Sequence, residues 1–224
     1  MKRAEEYVTP EALSGKMAEW LSCVRGAVAP RPHLKIVPAR CGLIVVDMLN
    51  YFASPEGRCF LPAAPAAAAR IALLVEAWRS FGGNVVFTRH CHTSSEDLGM
   101  LGKFFSDYIR CGEPEAEIVT VLAPRTSDVV MNKTTYDAFL GTALEEELRR
   151  RGLVQVLVTG VLTHLCCETT ARSAFCRGFE VYVAADATAS STEQLHLGSL
   201  LALADGVAVI MSTEEILQTC MESR

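Results

Sequence analysis

The chain has 224 residues, half of them hydrophobic and 21% charged, with a formal net charge of −5. That length suits one large α/β domain able to bury a substantial core. The mild acidity leaves no electrostatic footprint for nucleic acid or an anionic membrane surface, so a small-molecule substrate is the default partner.

The opening stretch MKRAEEYVTPEALSG carries acidic residues where a signal peptide needs an apolar core, and no later run reaches the length of a membrane span. A cytoplasmic protein is expected. The nine cysteines are odd in number and form no CxxC pair, which reads as reduced thiols in a reducing compartment.

Residues 1–36 stand apart as a helical arm and linker before a domain over 37–224. Thr9 followed by Pro10 signals a helix start, and Leu13, Met17, Trp20, Leu21 and Val24 fall on one helical face. That stripe needs a partner, either its own domain or a neighbouring subunit. Prolines 30 and 32 mark an extended connector. Six short apolar or β-branched runs follow, at 43–47, 84–88, 128–132, 154–159, 179–185 and 207–211. Helical patterns lie between them, several closed by glycine (Gly82-Gly83, Gly152, Gly178), and capping boxes pair Ser191 with Gln194 and Ser212 with Glu215. Alternating strands and helices predict right-handed crossovers and a parallel sheet covered on both faces: a doubly wound, three-layer α/β sandwich.

In such sheets ligands sit outside the carboxyl ends of the strands. The first strand ends in Asp47, the second is followed by Arg89, His90 and His92, the third by Lys133, and the fourth by a turn reaching Cys166. Taken singly, Asp47 could cap a loop, Lys133 could be a solvated lysine and Cys166 a small buried hydrophobe. Together at one rim they make a cleft for covalent chemistry. A lysine beside a thiol at a helix start favours the thiolate, a carboxylate can take the proton, and the turn offers backbone N–H groups to an oxyanion.

Four stretches carry a further resemblance: LIVVDMLNYF with Asp47, VVFTRHCH after the second strand, VVMNKTTYDAFLGTALEEEL with Lys133, and VTGVLTHLCCETTARSAFCRGFEVYVAADATAS with Cys166. From about Ala39 to Met211 the chain resembles the isochorismatase-like cysteine hydrolases, the superfamily of nicotinamidase, N-carbamoylsarcosine amidase and isochorismatase. The resemblance implies a six-stranded sheet in the order 3-2-1-4-5-6. It implies Cys166 as nucleophile, Asp47 as its base and Lys133 holding the charge on both. It also implies a cis peptide between Val161 and Leu162, with the amides of Leu162 and Cys166 facing the oxyanion. Cys167 reads as packing. Phe52, Arg89, His90, His92 and Tyr136 are the candidate substrate-binding residues, with Arg89 suited to a substrate carboxylate or ureido oxygen.

Two departures narrow the implied activity. Nicotinamidases carry Asp-Trp-His after the second strand as part of a metal site, and His90-Cys91-His92 stands here. Two histidines do not make a zinc site, so neither metal nor cofactor is expected. True isochorismatases lack the nucleophilic cysteine and cleave a vinyl ether by acid catalysis. Cys166 therefore predicts a hydrolase of a small amide, ureide or carbamoyl compound. The alternatives are an ether hydrolase without a covalent step and a catalytically idle binding or assembly protein. Relatives of this kind are commonly dimers or tetramers, so a homo-oligomer is expected.

Overall fold

In the computed structural model, which describes residues 4–222, the apolar runs form one sheet. Its strands are β1 (Cys41–Val46), β2 (Asn84–His90), β3 (Val129–Lys133), β4 (Gln155–Val161), β5 (Glu180–Ala189) and β6 (Ala208–Met211). They pair in the order β3-β2-β1-β4-β5-β6 with every neighbour parallel. The expected doubly wound α/β fold is therefore the one observed. β1 and β4 lie at its centre and are buried along their whole length, as strands covered on both faces must be.

The helices are α1 (Leu13–Ala27), α2 (Asn50–Ala53), α3 (Ala64–Ser80), α4 (Leu101–Phe104), α5 (Leu144–Arg150), α6 (Glu168–Cys176), α7 (Glu193–Gly206) and α8 (Thr213–Glu222). On α3, Ile71, Leu74, Val75 and Trp78 enter the core, and the Trp78 indole N–H donates to the carbonyl of Cys41 at 3.0 Å, fixing the start of β1. The Glu145, Glu147 and Arg149–Arg151 run of α5 pairs with itself along the solvent face.

One expected helix start forms as read and two are shifted. Ser212 and Glu215 form the reciprocal box that opens α8, at 3.1 and 3.0 Å. The cap of α7 is Thr192 instead of Ser191: its hydroxyl accepts the Leu195 N–H at 3.2 Å, while the Ser191 carbonyl accepts the N–H of Glu5. Thr9 likewise caps a turn ahead of α1, accepting the Ala12 N–H at 3.4 Å, and the helix proper begins at Leu13.

The apolar stripe of α1 is buried in the same core as the sheet. Its partner is the chain itself, through α7 and the end of β5. Glu193 at the start of α7 accepts from Trp20 Nε1 at 2.9 Å and pairs with Lys16 at 3.0 Å.

The thiols depart from the reduced state expected of all nine. Cys91 and Cys111 form a disulfide, and the remaining seven are free. Backbone hydrogen bonds explain the proximity: His92 N–H donates to the Ile109 carbonyl at 2.8 Å and Cys111 N–H to that of His92 at 3.0 Å, laying the two ends of a loop side by side.

The carboxyl ends of β1 and β4 approach so closely that only glycine fits. A Cβ on Gly160, at φ +104°, would lie 2.0 Å from the Val46 carbonyl oxygen. This close approach brings the Asp47 corner next to the turn that follows β4.

Candidate active site

Asp47 leaves β1 with φ +49°, the left-handed region that a non-glycine residue enters at a cost of about 1–3 kcal/mol. Thr88 of β2 holds it there. The Asp47 N–H donates to Thr88 Oγ1 at 3.2 Å, and that hydroxyl donates to Asp47 Oδ1 at 2.7 Å. The second oxygen, Oδ2, is thereby aimed at Lys133 Nζ, 2.7 Å away. Both side chains are fully buried, at 0% exposure, so the pair is screened by no water.

Lys133 ends β3. Its ammonium faces Asp47, Cys166 Sγ at 3.4 Å, the Thr135 carbonyl at 2.8 Å and His90 Nδ1 at 3.2 Å. An ammonium carries three donors, so four acceptors share them. Donor atoms of Asp47, His90 and Cys166 lie within 4.8 Å of one another, a spacing that would suit a metal ion. The ammonium of Lys133 contacts all three and supplies the positive charge there.

Cys166 follows β4 through a cis peptide between Val161 and Leu162 and a wide, π-type helical turn over Thr163–Cys167 that leads into α6. The turn is anchored from behind: His164 Nδ1 meets Ser190 Oγ at 2.5 Å, and Cys167 is buried with its sulfur toward the Thr159 carbonyl. Of the two adjacent cysteines, Cys166 alone reaches the cavity.

The charges of the trio follow from burial and neighbours. Burial pushes the Asp47 carboxyl up, but the Lys133 ammonium overrides it and, with Thr88, holds it below the usual carboxylate range. Burial pulls Lys133 down, and the Asp47 charge more than restores it, leaving the ammonium above its ordinary value. Burial raises the Cys166 thiol to about 12, because the lysine's help is offset by the nearby carboxylate. These shifts favour carboxylate, ammonium and neutral thiol at rest, with the Lys133 ammonium shared between Asp47 and the Cys166 sulfur.

The histidines form a directed chain. Lys133 can only donate, so His90 Nδ1 accepts and its proton sits on Nε2. That proton reaches His92 Nε2 at 3.1 Å, and His92 Nδ1 then donates to Asp97 Oδ1 at 2.9 Å. Burial, then the Lys133 charge, depresses His90 to about 4, so it is neutral at physiological pH. The resemblance to nicotinamidases implies a metal site in this region, and the residues present do not fit one. The two nitrogens that would face an ion are engaged with each other, and two imidazoles fall short of the three protein ligands such an ion needs.

A cavity of about 220 Å³ opens over Cys166, bounded by Phe52, His90, His92 and Tyr136. More than half of its lining comes from the loop between Cys91 and Cys111, chiefly Leu98, Leu101, Phe104, Phe105 and Tyr108. Leu162 also borders it, so both proposed oxyanion donors belong to residues at its wall. Arg89 is a correction. It faces the opposite side of β2 from the inward-pointing Thr88 and His90, pairing with Glu117 at 3.1 Å and Asn132 at 3.1 Å outside the cavity. No arginine or lysine is among the described lining residues.

Sequence reasoning missed Thr88, Tyr51 and the loop aromatics. Thr88 was findable, as the residue two before His90 on the same face of a strand. The loop residues follow no period and left no comparable signal.

The isochorismatase domain family matches residues 41–215. The chain belongs to the isochorismatase family. It is 37% identical over 188 residues to Nicotinamidase 3 of Arabidopsis thaliana, covering 83% of this chain and 89% of that protein. It is 30% identical to the ureidoacrylate amidohydrolase RutB of Methylobacterium radiotolerans, covering 78% of each. Its fold superimposes on a cysteine hydrolase from Pseudomonas syringae pv. phaseolicola with a TM-score of 0.84 and 26% identity, covering 88% of this chain and 99% of that one. These isochorismatase-family relatives are hydrolases, and so is this protein.

Proposed function

We propose that the protein is a cysteine hydrolase cleaving a non-peptide C–N bond of a small amide, ureide or carbamoyl compound through a thioacyl intermediate. The observation that carries this reading is the single ammonium of Lys133, beneath the cavity, touching Asp47 Oδ2 at 2.7 Å and the Cys166 Sγ that borders the cavity at 3.4 Å. As Cys166 sulfur bonds to the substrate carbonyl carbon, its proton passes to Asp47. The amides of Leu162 and Cys166 receive the oxyanion. Asp47 returns the proton to the departing nitrogen, which leaves as ammonia or an amine. Water then attacks the thioester, giving one proton to Asp47 and releasing the acid, and the proton returns to the sulfur. Lys133 keeps Asp47 ionised between proton transfers.

Among these substrate classes the cavity favours a neutral, largely apolar amide. Aromatic and aliphatic side chains dominate its wall, and the arginine expected to receive a carboxylate faces elsewhere. The resemblance to Nicotinamidase 3 supports a neutral amide, and that to the ureidoacrylate amidohydrolase supports C–N hydrolysis more broadly. Residues 1–36 are read as an arm appended to the hydrolase domain over 37–224.

The test is ammonia release from a panel of neutral carboxamides, ureides and carbamoyl amino acids, with Cys166→Ala as control. Release from neutral amides by the wild type alone supports the reading. A preference for carboxylate-bearing members would overturn the substrate class. Undiminished activity in Cys166→Ala would overturn the covalent mechanism.

A further inference from the structure

His196 lies on α7, buried at 0% exposure and outside the cavity. Its Nδ1 meets Thr163 Oγ1 at 2.9 Å, while its Nε2 has no hydrogen-bond partner among the described residues. A buried ring nitrogen without a partner is a cost that a leucine of similar volume would not incur. Burial drives its pKa down to about 3, so no charge accounts for its presence. What the ring offers is one aimed hydrogen bond. It is clamped for that purpose, with the Trp20 ring 4.5 Å away and the Tyr7 ring 5.8 Å away, both from the N-terminal arm.

The residue it holds is significant. Thr163 follows Leu162 directly and opens the turn that ends at Cys166. Ser199 Oγ also lies against this residue, its single proton shared between the Thr163 carbonyl at 3.2 Å and Glu168 Oε2 at 2.7 Å. The arm reaches the next position too: Tyr7 Oη accepts the Ser190 N–H at 2.9 Å, and Ser190 Oγ holds His164.

We propose that His196 is a positioning residue for the oxyanion side of the site, acting through Thr163 and braced by Tyr7 and Trp20 of the N-terminal arm. This rests on Cys166 being the nucleophile and Leu162 a donor to the oxyanion. A shift of the Leu162–Thr163 backbone misplaces the donor without moving the thiol, and such misplacement costs about tenfold to a hundredfold in rate.

The test uses two probes of Cys166, read at that residue by peptide mass spectrometry. p-Nitrophenyl acetate acylates a thiol through a tetrahedral oxyanion, and iodoacetamide alkylates it without one. His196→Leu is expected to slow acylation about tenfold or more while alkylation stays at the wild-type rate. His196→Asn, whose amide falls near the Nδ1 position, should restore much of the acylation rate. His196→Gln, whose amide falls near Nε2, should not. Thr163→Val removes the other partner at matched volume, and its effect should not add to that of His196→Leu. Equal rescue by Asn and Gln, or wild-type acylation in a folded Thr163→Val, would overturn the positioning role. Absence of acylation at Cys166 in the wild type would instead sink the nucleophile itself, and this inference with it.

Discussion

The floor and the roof of the cavity are built by different means. The floor is the carboxyl end of the sheet, where Cys166 rests on the buried Asp47–Lys133 pair and all three are fixed by neighbours within about one hydrogen-bond length. The roof is the loop from Cys91 to Cys111, which holds only short helical turns and exposes Phe104 at 77%. It is secured by the disulfide, by Asp107 to Arg58 at 2.9 Å and by the Tyr51 hydroxyl to Asp107 at 3.0 Å. Bond-making needs geometry held to fractions of an ångström, which strand ends supply. Substrate choice needs a surface that can vary without disturbing them, which a tethered loop supplies.

Changes at the floor should therefore remove turnover, and changes at the roof should retune it. The largest effect belongs to Cys166→Ala, which is expected to lower kcat by about a thousandfold or more while leaving the circular dichroism spectrum unchanged. Asp47→Asn follows, with a double signature. It removes the proposed proton acceptor, and it leaves the buried Lys133 ammonium without a counter-charge, a loss of about 3–5 kcal/mol in denaturant unfolding at neutral pH. The sign with pH is fixed by the depressed Asp47 carboxyl. Its stabilising contribution is present above the ordinary carboxylate pKa and is lost as pH falls through its lower folded value. Wild type and Asp47→Asn should therefore converge in stability on acidification. A gap that persists or widens in acid would mean that Asp47 is not the ionised partner of Lys133.

The pH profile gives a smaller but sharper test. If, as proposed, the active form pairs an ionised Asp47 with a protonated thiol, kcat/KM should stay level from about pH 5 to 9 and fall only below the usual carboxylate range. The thiol at about 12 contributes no limb near 8.5. A rate that climbs through pH 8 to 9 would show that a preformed thiolate attacks, and that Lys133 serves the sulfur before it serves the carboxylate.

The same division governs what could be read in the sequence. The strands were legible because period and β-branching survive in any parallel core, and the trio because each member stands at a strand end, where topology alone brings them together. Arg89 was misplaced for a related reason. The TRH stretch resembles its relatives as a string, but the side of the pleat decides what each residue touches, and Arg89 differs from its neighbours there. The arm's stripe was visible while its partner was not, since amphipathicity states that a face is buried without saying against what. The disulfide escaped because cysteine counts suggest a compartment and not a pairing. Cys91 and Cys111 become partners only once the bonds between His92 and Ile109 lay the loop's ends together.

That disulfide supplies the smallest predicted effect and the most direct probe of the roof. It closes a loop of sequence separation 20 that carries more than half of the cavity lining, and it meets the trio through a backbone bond, Cys91 N–H to the Lys133 carbonyl at 3.1 Å, that does not depend on the disulfide. Reduction by dithiothreitol, or the Cys91→Ser/Cys111→Ser pair, should free the loop to sample conformations in which Phe104, Phe105 and Tyr108 no longer line the cavity. The backbone bonds at His92 and the Arg58 contacts remain, so the loop loosens and does not melt. The expected outcome is a rise in KM of about threefold to tenfold, or roughly 1 kcal/mol of lost binding, with kcat nearly unchanged. Steady-state kinetics on the best amide of the panel measures it, with a thiol count confirming the redox state. A fall in kcat at constant KM would place the loop in the chemistry itself and erase the distinction between floor and roof. No change in either would mean that the surface ion pairs alone hold the loop.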